Sequence, residues 1–178
     1  MTLSTTQSTI RRGVVAALLA AMPIGTLAAQ LTTSPTVQVK RSGPRFGMTW
    51  LGGGITDSLR VKHSVDVQAV ITQFGWQYES QILSMQGGPV AVNEFVLLVG
   101  GLDQGAFLPS LSWMVGIRTP NNFEFGVGPN VTPVGVALAM TAGVTFRAGA
   151  LAIPVNVAVV PGRVGTRLSL LTGFNTHR

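Results

Sequence analysis

Ser58, His63 and Asp66 bring a nucleophile, a base and a carboxylate into one short stretch of chain. A hydrolase triad needs those three groups held in a fixed mutual geometry by the rest of the fold. These are local, and nothing elsewhere in the chain is placed to hold them, so they read as helix-capping and turn residues. The other histidine, His177, stands next to the last residue, and neither histidine falls in a predicted strand. That pattern does not fit barrel enzymes that modify lipids, which carry a His and a Ser near their strand ends. Cysteine is absent, which removes disulfides, thiolate metal sites and thiol nucleophiles together. No His, Asp or Glu cluster has metal-ligand spacing. Gly52-Gly53-Gly54 lacks the Lys-Ser/Thr of a phosphate loop, and Gly126 and Gly128 lack the strand-helix context of a dinucleotide site. No catalytic residue, cofactor or metal is expected.

The charged residues are more informative. Arg45, Glu79, Glu94, Arg118, Glu124, Arg147 and Arg167 fall inside predicted strands or at their ends. For Glu79, Arg118, Glu124 and Arg167, the charge lies opposite a bulky apolar face. In a small barrel such positions point inward, and an eight-stranded lumen is just wide enough for side chains to fill. Four Arg and three Glu can form a nearly neutral ion-pair network there, because the planar guanidinium fork binds carboxylates in two places. On an open sheet the same charges would face water.

Strands must position these charges. From Val67 to Ile82 the residues Val70, Thr72, Phe74, Trp76, Tyr78 and Ile82 share one face, and Ile71, Gln73, Gly75, Gln77, Glu79 and Gln81 the other. Alternation of this kind is a strand signature. Glu94–Val99, Ser110–Ile117, Phe123–Gly128, Val134–Arg147, Ala150–Val160 and Arg167–Phe174 continue the pattern, after a first strand over Arg45–Trp50. The count is about eight. Pro120-Asn121-Asn122, Pro129-Asn130 and Pro161-Gly162-Arg163 read as turns. Pro154 inside a strand implies an edge or a bulge. Ile55–Lys62 is the one helix expected, capped by Thr56 or Asp57, with Ile55, Leu59 and Lys62 on one face, plugging a barrel end or lying on its rim.

The first residues describe export. Arg11-Arg12 precede a short apolar stretch from Gly13 to Ile24, then Pro23 and Gly25, then small residues around Ala28-Ala29. This is the layout of a cleavable signal peptide over residues 1–29. The apolar run is short of the roughly 20 residues that span a bilayer as a helix. Residues 30–44 are polar, contain Pro35 and Pro44, and read as an extended N-terminal arm, so the barrel domain is expected over 45–178. Charged residues make up only 10% of the 178 and hydrophobic residues 46%, with 22 glycines. A typical soluble chain carries about 25% charge. Low charge with alternating apolar residues suits a barrel whose outside faces lipid. The net charge of +6 is scattered, with no basic stripe for nucleic acid.

Four segments carry a resemblance. They are Gln73-Phe74-Gly75-Trp76-Gln77, Phe107-Leu108-Pro109-Ser110-Leu111-Ser112, Glu124-Phe125-Gly126-Val127-Gly128-Pro129-Asn130 and Leu170-Leu171-Thr172-Gly173-Phe174-Asn175. Together they resemble a group of uncharacterised exported bacterial proteins similar to small outer-membrane β-barrels. The resemblance implies no activity and transfers no functional residue. Such barrels usually finish on an aromatic residue, whereas here Phe174 is followed by Asn175-Thr176-His177-Arg178.

The expected fold is all-β: an antiparallel up-and-down barrel of about eight strands with one short helix, preceded by a signal peptide. Its outer face would carry Phe74, Trp76, Tyr78, Trp113, Phe123, Phe125 and Phe174, against outer-membrane lipid. Its role would be structural, or that of a narrow or plugged pore. The alternative is a soluble periplasmic β-sandwich or lipocalin-like barrel, with those aromatics forming a core or ligand pocket.

Overall fold

The structure, a computed structural model, describes residues 39–177 apart from 85, 86 and 150. The expected signal peptide and most of the expected arm lie outside the described residues. Eight long strands run in chain order: β1 (Lys40–Leu51), β2 (Val70–Ser84), β3 (Val90–Gly100), β4 (Leu108–Arg118), β5 (Phe123–Thr132), β6 (Gly135–Ala148), β7 (Leu151–Gly162) and β8 (Gly165–Gly173). A two-residue β9 (Thr176–His177) continues the line of β8 along β1. Helix α1 (Gly53–His63) joins β1 to β2, and a 3₁₀ turn (Leu102–Gln104) joins β3 to β4.

Each strand pairs antiparallel with the next, and β1 pairs with both β8 and β2, so the sheet closes into a barrel. Closure leaves no free sheet edge. The sandwich alternative is thereby overturned, because the described residues form one closed sheet, and the aromatics expected on the outer face all point out of it.

Local chemistry explains where the strands depart from expectation. β1 begins at Lys40, so the barrel domain starts before residue 45; Lys40 to Pro44 pair with Ser80 to Trp76. The period of 2 runs unbroken through Pro44, with Arg41, Gly43 and Arg45 buried and Phe46, Met48 and Trp50 exposed. Pro129-Asn130 is no turn. β5 runs on to Thr132, with Pro129 outside and Asn130 inside. Proline lacks the N–H that a ladder needs, and the β4–β5 ladder skips Pro129, resuming at Ser112↔Asn130. Gly128 beside it packs so closely on Trp113 O that no Cβ fits. Pro154, fully buried in β7, interrupts its ladder in the same way: pairing with β8 stops at Val155↔Thr172 and resumes as a bridge at Ala152↔Asn175.

Helix α1 starts two residues earlier than expected and has no side-chain cap; Gly52 holds the N-cap position. Neither Thr56 nor Asp57 caps it, and the Thr56 hydroxyl instead donates to Gly53 O at 2.7 Å. The glycines are there for space, since a Cβ on Gly54 would collide with Val164 O. Arg60, Lys62 and His63 fill the last turn, where positive charge suits the helix dipole. Ile55 and Leu59 are buried as expected, whereas Lys62 is exposed. The two buried residues pack with Leu51, Val67, Ile71, Ala106 and Leu108. The helix therefore closes one end of the barrel, the helix end. The β4–β5 and β6–β7 connections mark the opposite end, the hairpin end.

Candidate functional site: the barrel lumen

Residues that alternate with the outward aromatics line the lumen, and their chemistry changes along its length. Near the hairpin end Arg118 of β4 is held between two carboxylates. Its Nη1 and Nη2 donate to Glu79 Oε1 and Oε2 at 2.5 and 2.6 Å, and its Nε donates to Glu124 Oε1 at 2.6 Å. The Thr145 hydroxyl donates to the same Glu124 oxygen at 2.6 Å. Glu79, Arg118, Glu124 and Thr145 are all buried. Glu124 and Arg118 are register partners on β4 and β5, while Glu79 reaches across from β2. This is the bidentate geometry in which charge-assisted hydrogen bonds are strongest.

Toward the middle, Arg45 is only 1% exposed and is satisfied by neutral groups. It donates to Gln77 Oε1 at 2.7 Å, Asn175 Oδ1 at 2.7 Å and Pro44 O at 2.9 Å. Thr49 Oγ1 donates to Gln73 Oε1 at 2.7 Å and lies 2.6 Å from Ser169 Oγ. Closer to the helix end Arg167 donates to Thr132 Oγ1 at 3.0 Å and to Asn130 Oδ1 at 2.8 Å. Asn130 Nδ2 in turn donates to Ser110 and Ser112. A cavity of about 60 Å³ separates these layers, with Glu94 and Asn156 on its wall. A second cavity, of about 40 Å³, lies directly under Ile55 and Leu59 of α1.

The seven charges singled out by spacing do not form one network. Glu79, Arg118 and Glu124 form a buried ion-paired cluster. Arg45 and Arg167 stand in separate hydrogen-bonded groups. Glu94 faces the lumen without an ion pair among the described residues. Arg147 has inward parity but lies exposed at the strand end. Arg41 falls in the arm expected from the sequence, yet it is buried with an inward-facing side chain, and its Nε has no partner among the described residues. The signal that finds it is the same period of 2, followed back through Pro44. The polar partners Gln77, Asn175, Asn130 and Thr145 carry no charge and gave no comparable signal.

The triad residues are not brought together. Asp66 accepts two hydrogen bonds from Arg60, at 2.9 and 3.0 Å, and both partners are exposed. His63 is exposed at the end of α1. Among the described residues no group of three or more His, Asp or Glu is arranged to hold a metal.

No family model matches the chain, and no curated protein matches it in sequence. Solved structures do match in shape. Ail, an outer membrane protein of Yersinia pestis, whose backbone structure was determined in a phospholipid bilayer nanodisc, superposes with a TM-score of 0.50. Identity is 10%, over 78% of this chain and 99% of that one. The crystal structure of Ail, the attachment invasion locus protein, gives a TM-score of 0.48 at 10% identity, over 79% of this chain and 97% of that one. The fold is that of a small closed β-barrel, as in Ail. At such low identity the likeness is one of architecture: eight strands, up and down, closed upon themselves. Ail has also been crystallised with the heparin analogue sucrose octasulfate.

Proposed function

We propose that this protein is an outer-membrane barrel of structural type, without catalytic activity, whose lumen is closed to solutes by its own side chains and by α1. The observation that carries this reading is the outer wall. Most outward positions are aliphatic or aromatic, and many stand half exposed, among them Trp50, Trp76, Leu97, Trp113, Val127, Met140 and Leu170. Among the described residues Lys40 is the one charged side chain that faces outward from a strand. A soluble protein rarely exposes a contiguous apolar patch of more than a few hundred Å², whereas here exposed apolar side chains dominate the wall on all eight long strands. That wall matches the hydrocarbon-facing band of a transmembrane barrel, whose backbone polar groups are all paired between strands.

The closed-lumen part of the reading is supported by packing. The hairpin-end half holds the Glu79–Arg118–Glu124 cluster, and the helix end holds seven buried apolar side chains including Ile55 and Leu59. Eight-stranded barrels of this diameter are filled by side chains rather than by a water column.

Fractionation and electrophoresis test the proposal. The expected result is recovery with the outer membrane, with a band that shifts when the sample is boiled. Reconstituted in planar bilayers, the protein should carry no steady ion current. Recovery solely in the soluble periplasmic extract would overturn the membrane assignment, and steady open-channel current would overturn the closed lumen.

A further inference from the structure

Apart from the threonines Thr72, Thr166 and Thr172, the apolar outer wall is interrupted at one cluster among the described residues. At the hairpin end of β1, β2 and β3, three neighbouring strands turn polar at the same level: Lys40, Ser80 and Asn93 are register partners in one row. Ser42, Tyr78 and Phe95 form the next row toward the middle. Beyond it come Pro44, Trp76 and Leu97, and the wall is apolar again. The other strands do not change in this way. Val115 and Ile117 of β4 and Phe123 and Phe125 of β5 keep the wall apolar to the strand end, as do Val144 and Phe146 of β6.

We propose that this notch binds the phosphate-bearing headgroup of a membrane phospholipid. The proposal rests on the membrane reading above and names a ligand for one part of its wall. The two rows line a cavity of about 310 Å³ together with Arg41 and Glu79. Lys40 supplies the one outward cation of the strands among the described residues. The hydroxyls of Ser42, Tyr78 and Ser80 supply donors. Asn93 accepts a hydrogen bond from Trp113 Nε1 at 2.6 Å, which leaves its own amide N–H groups free to donate. This donor-rich set with one positive charge is complementary to a phosphodiester. Beside it Phe95 and Trp113 stack in parallel with centroids 5.9 Å apart, forming an apolar shelf toward the middle of the wall. A phospholipid has the same two parts in the same order, an anionic head and apolar chains. Unpartnered polar side chains are costly against hydrocarbon, so a headgroup at this depth satisfies groups that acyl chains cannot.

The test uses the full barrel extracted from membranes in detergent, with added phosphatidylglycerol as the probe and native mass spectrometry as the readout. The expected result is one retained lipid on the wild type. Retention should be about fivefold weaker for Lys40→Gln, the factor carried by one lysine near an anionic headgroup. It should be unchanged for Arg163→Gln in the turn at the helix end. Equal retention by all three proteins would overturn the site. So would displacement of the lipid by inorganic phosphate at matched concentration, because the chains would then contribute nothing. Every variant is first checked for the boiling-dependent band shift. A wild type that lacks the shift and stays out of membranes defeats the membrane reading itself. A wild type that inserts but retains no lipid defeats the site alone.

Discussion

At the hairpin end the lumen is held by charged hydrogen bonds, whereas at the helix end it is held by apolar packing, although the same strands line both. In the first region Arg118 satisfies two carboxylates and Thr145 backs one of them. In the second, α1 lowers Ile55 and Leu59 onto Leu51, Ile71 and Leu108. A charged cluster depends on its full set of partners, because each member left alone is a buried uncompensated charge. An apolar cap loses contact area in proportion to what is removed, and tolerates swaps of similar volume. One closed sheet therefore combines an all-or-none region with a graded one.

The largest effect should come from breaking the charged half. Arg118→Ala leaves Glu79 and Glu124 buried without their cation and should cost about 3–5 kcal/mol, read from the urea midpoint of the folded band. Replacing all three with apolar residues of similar size should recover most of that loss. Recovery would show that the cluster's demand is for completeness rather than for charge. Truncating the cap should come next. Leu59→Ala removes a side chain only 2% exposed and should cost about 2–4 kcal/mol, while Leu59→Met should cost less than about 1.5. A smaller effect, about 1.5 kcal/mol, is expected for Thr145→Val, which removes one hydrogen bond to the Glu124 carboxylate and keeps the shape. The smallest belongs to Arg60→Ala. Its exposed pair with Asp66 lies outside both regions, and the midpoint should move by less than about 1 kcal/mol. If Arg118→Ala cost no more than Arg60→Ala, the contrast between the two halves would be gone.

Much of this architecture is legible in the sequence, because a strand's period of 2 is a local property. The faces of Val70–Ile82, Leu111–Ile117 and Leu168–Phe174 follow from alternation alone, as does the inward side of Glu79, Arg118, Glu124 and Arg167. Partnership is a different matter, since it depends on register between strands distant in sequence. Nothing in the spacing says that Arg118 takes both Glu79 and Glu124, or that Arg45 is satisfied by Gln77 and Asn175. The prolines misled for a related reason. Pro44 and Pro129 read as breaks, but each sits in a closed strand: the ladder runs through Pro44 to Trp76 and skips Pro129 on the β4 side. Arg147 shows the opposite limit. Its parity is inward, yet the strand ends beside it and the side chain is exposed.

The central claim is that the outward wall faces hydrocarbon, and a chain with no cysteine allows that to be measured without background. Single substitutions Leu97→Cys, Val127→Cys and Met140→Cys place a thiol on the wall, and Val61→Cys places one on the exposed face of α1. Each is labelled in isolated membranes with a charged, water-soluble maleimide. The account predicts fast labelling at Val61→Cys and almost none at the three wall positions. Equal labelling at all four sites would contradict it.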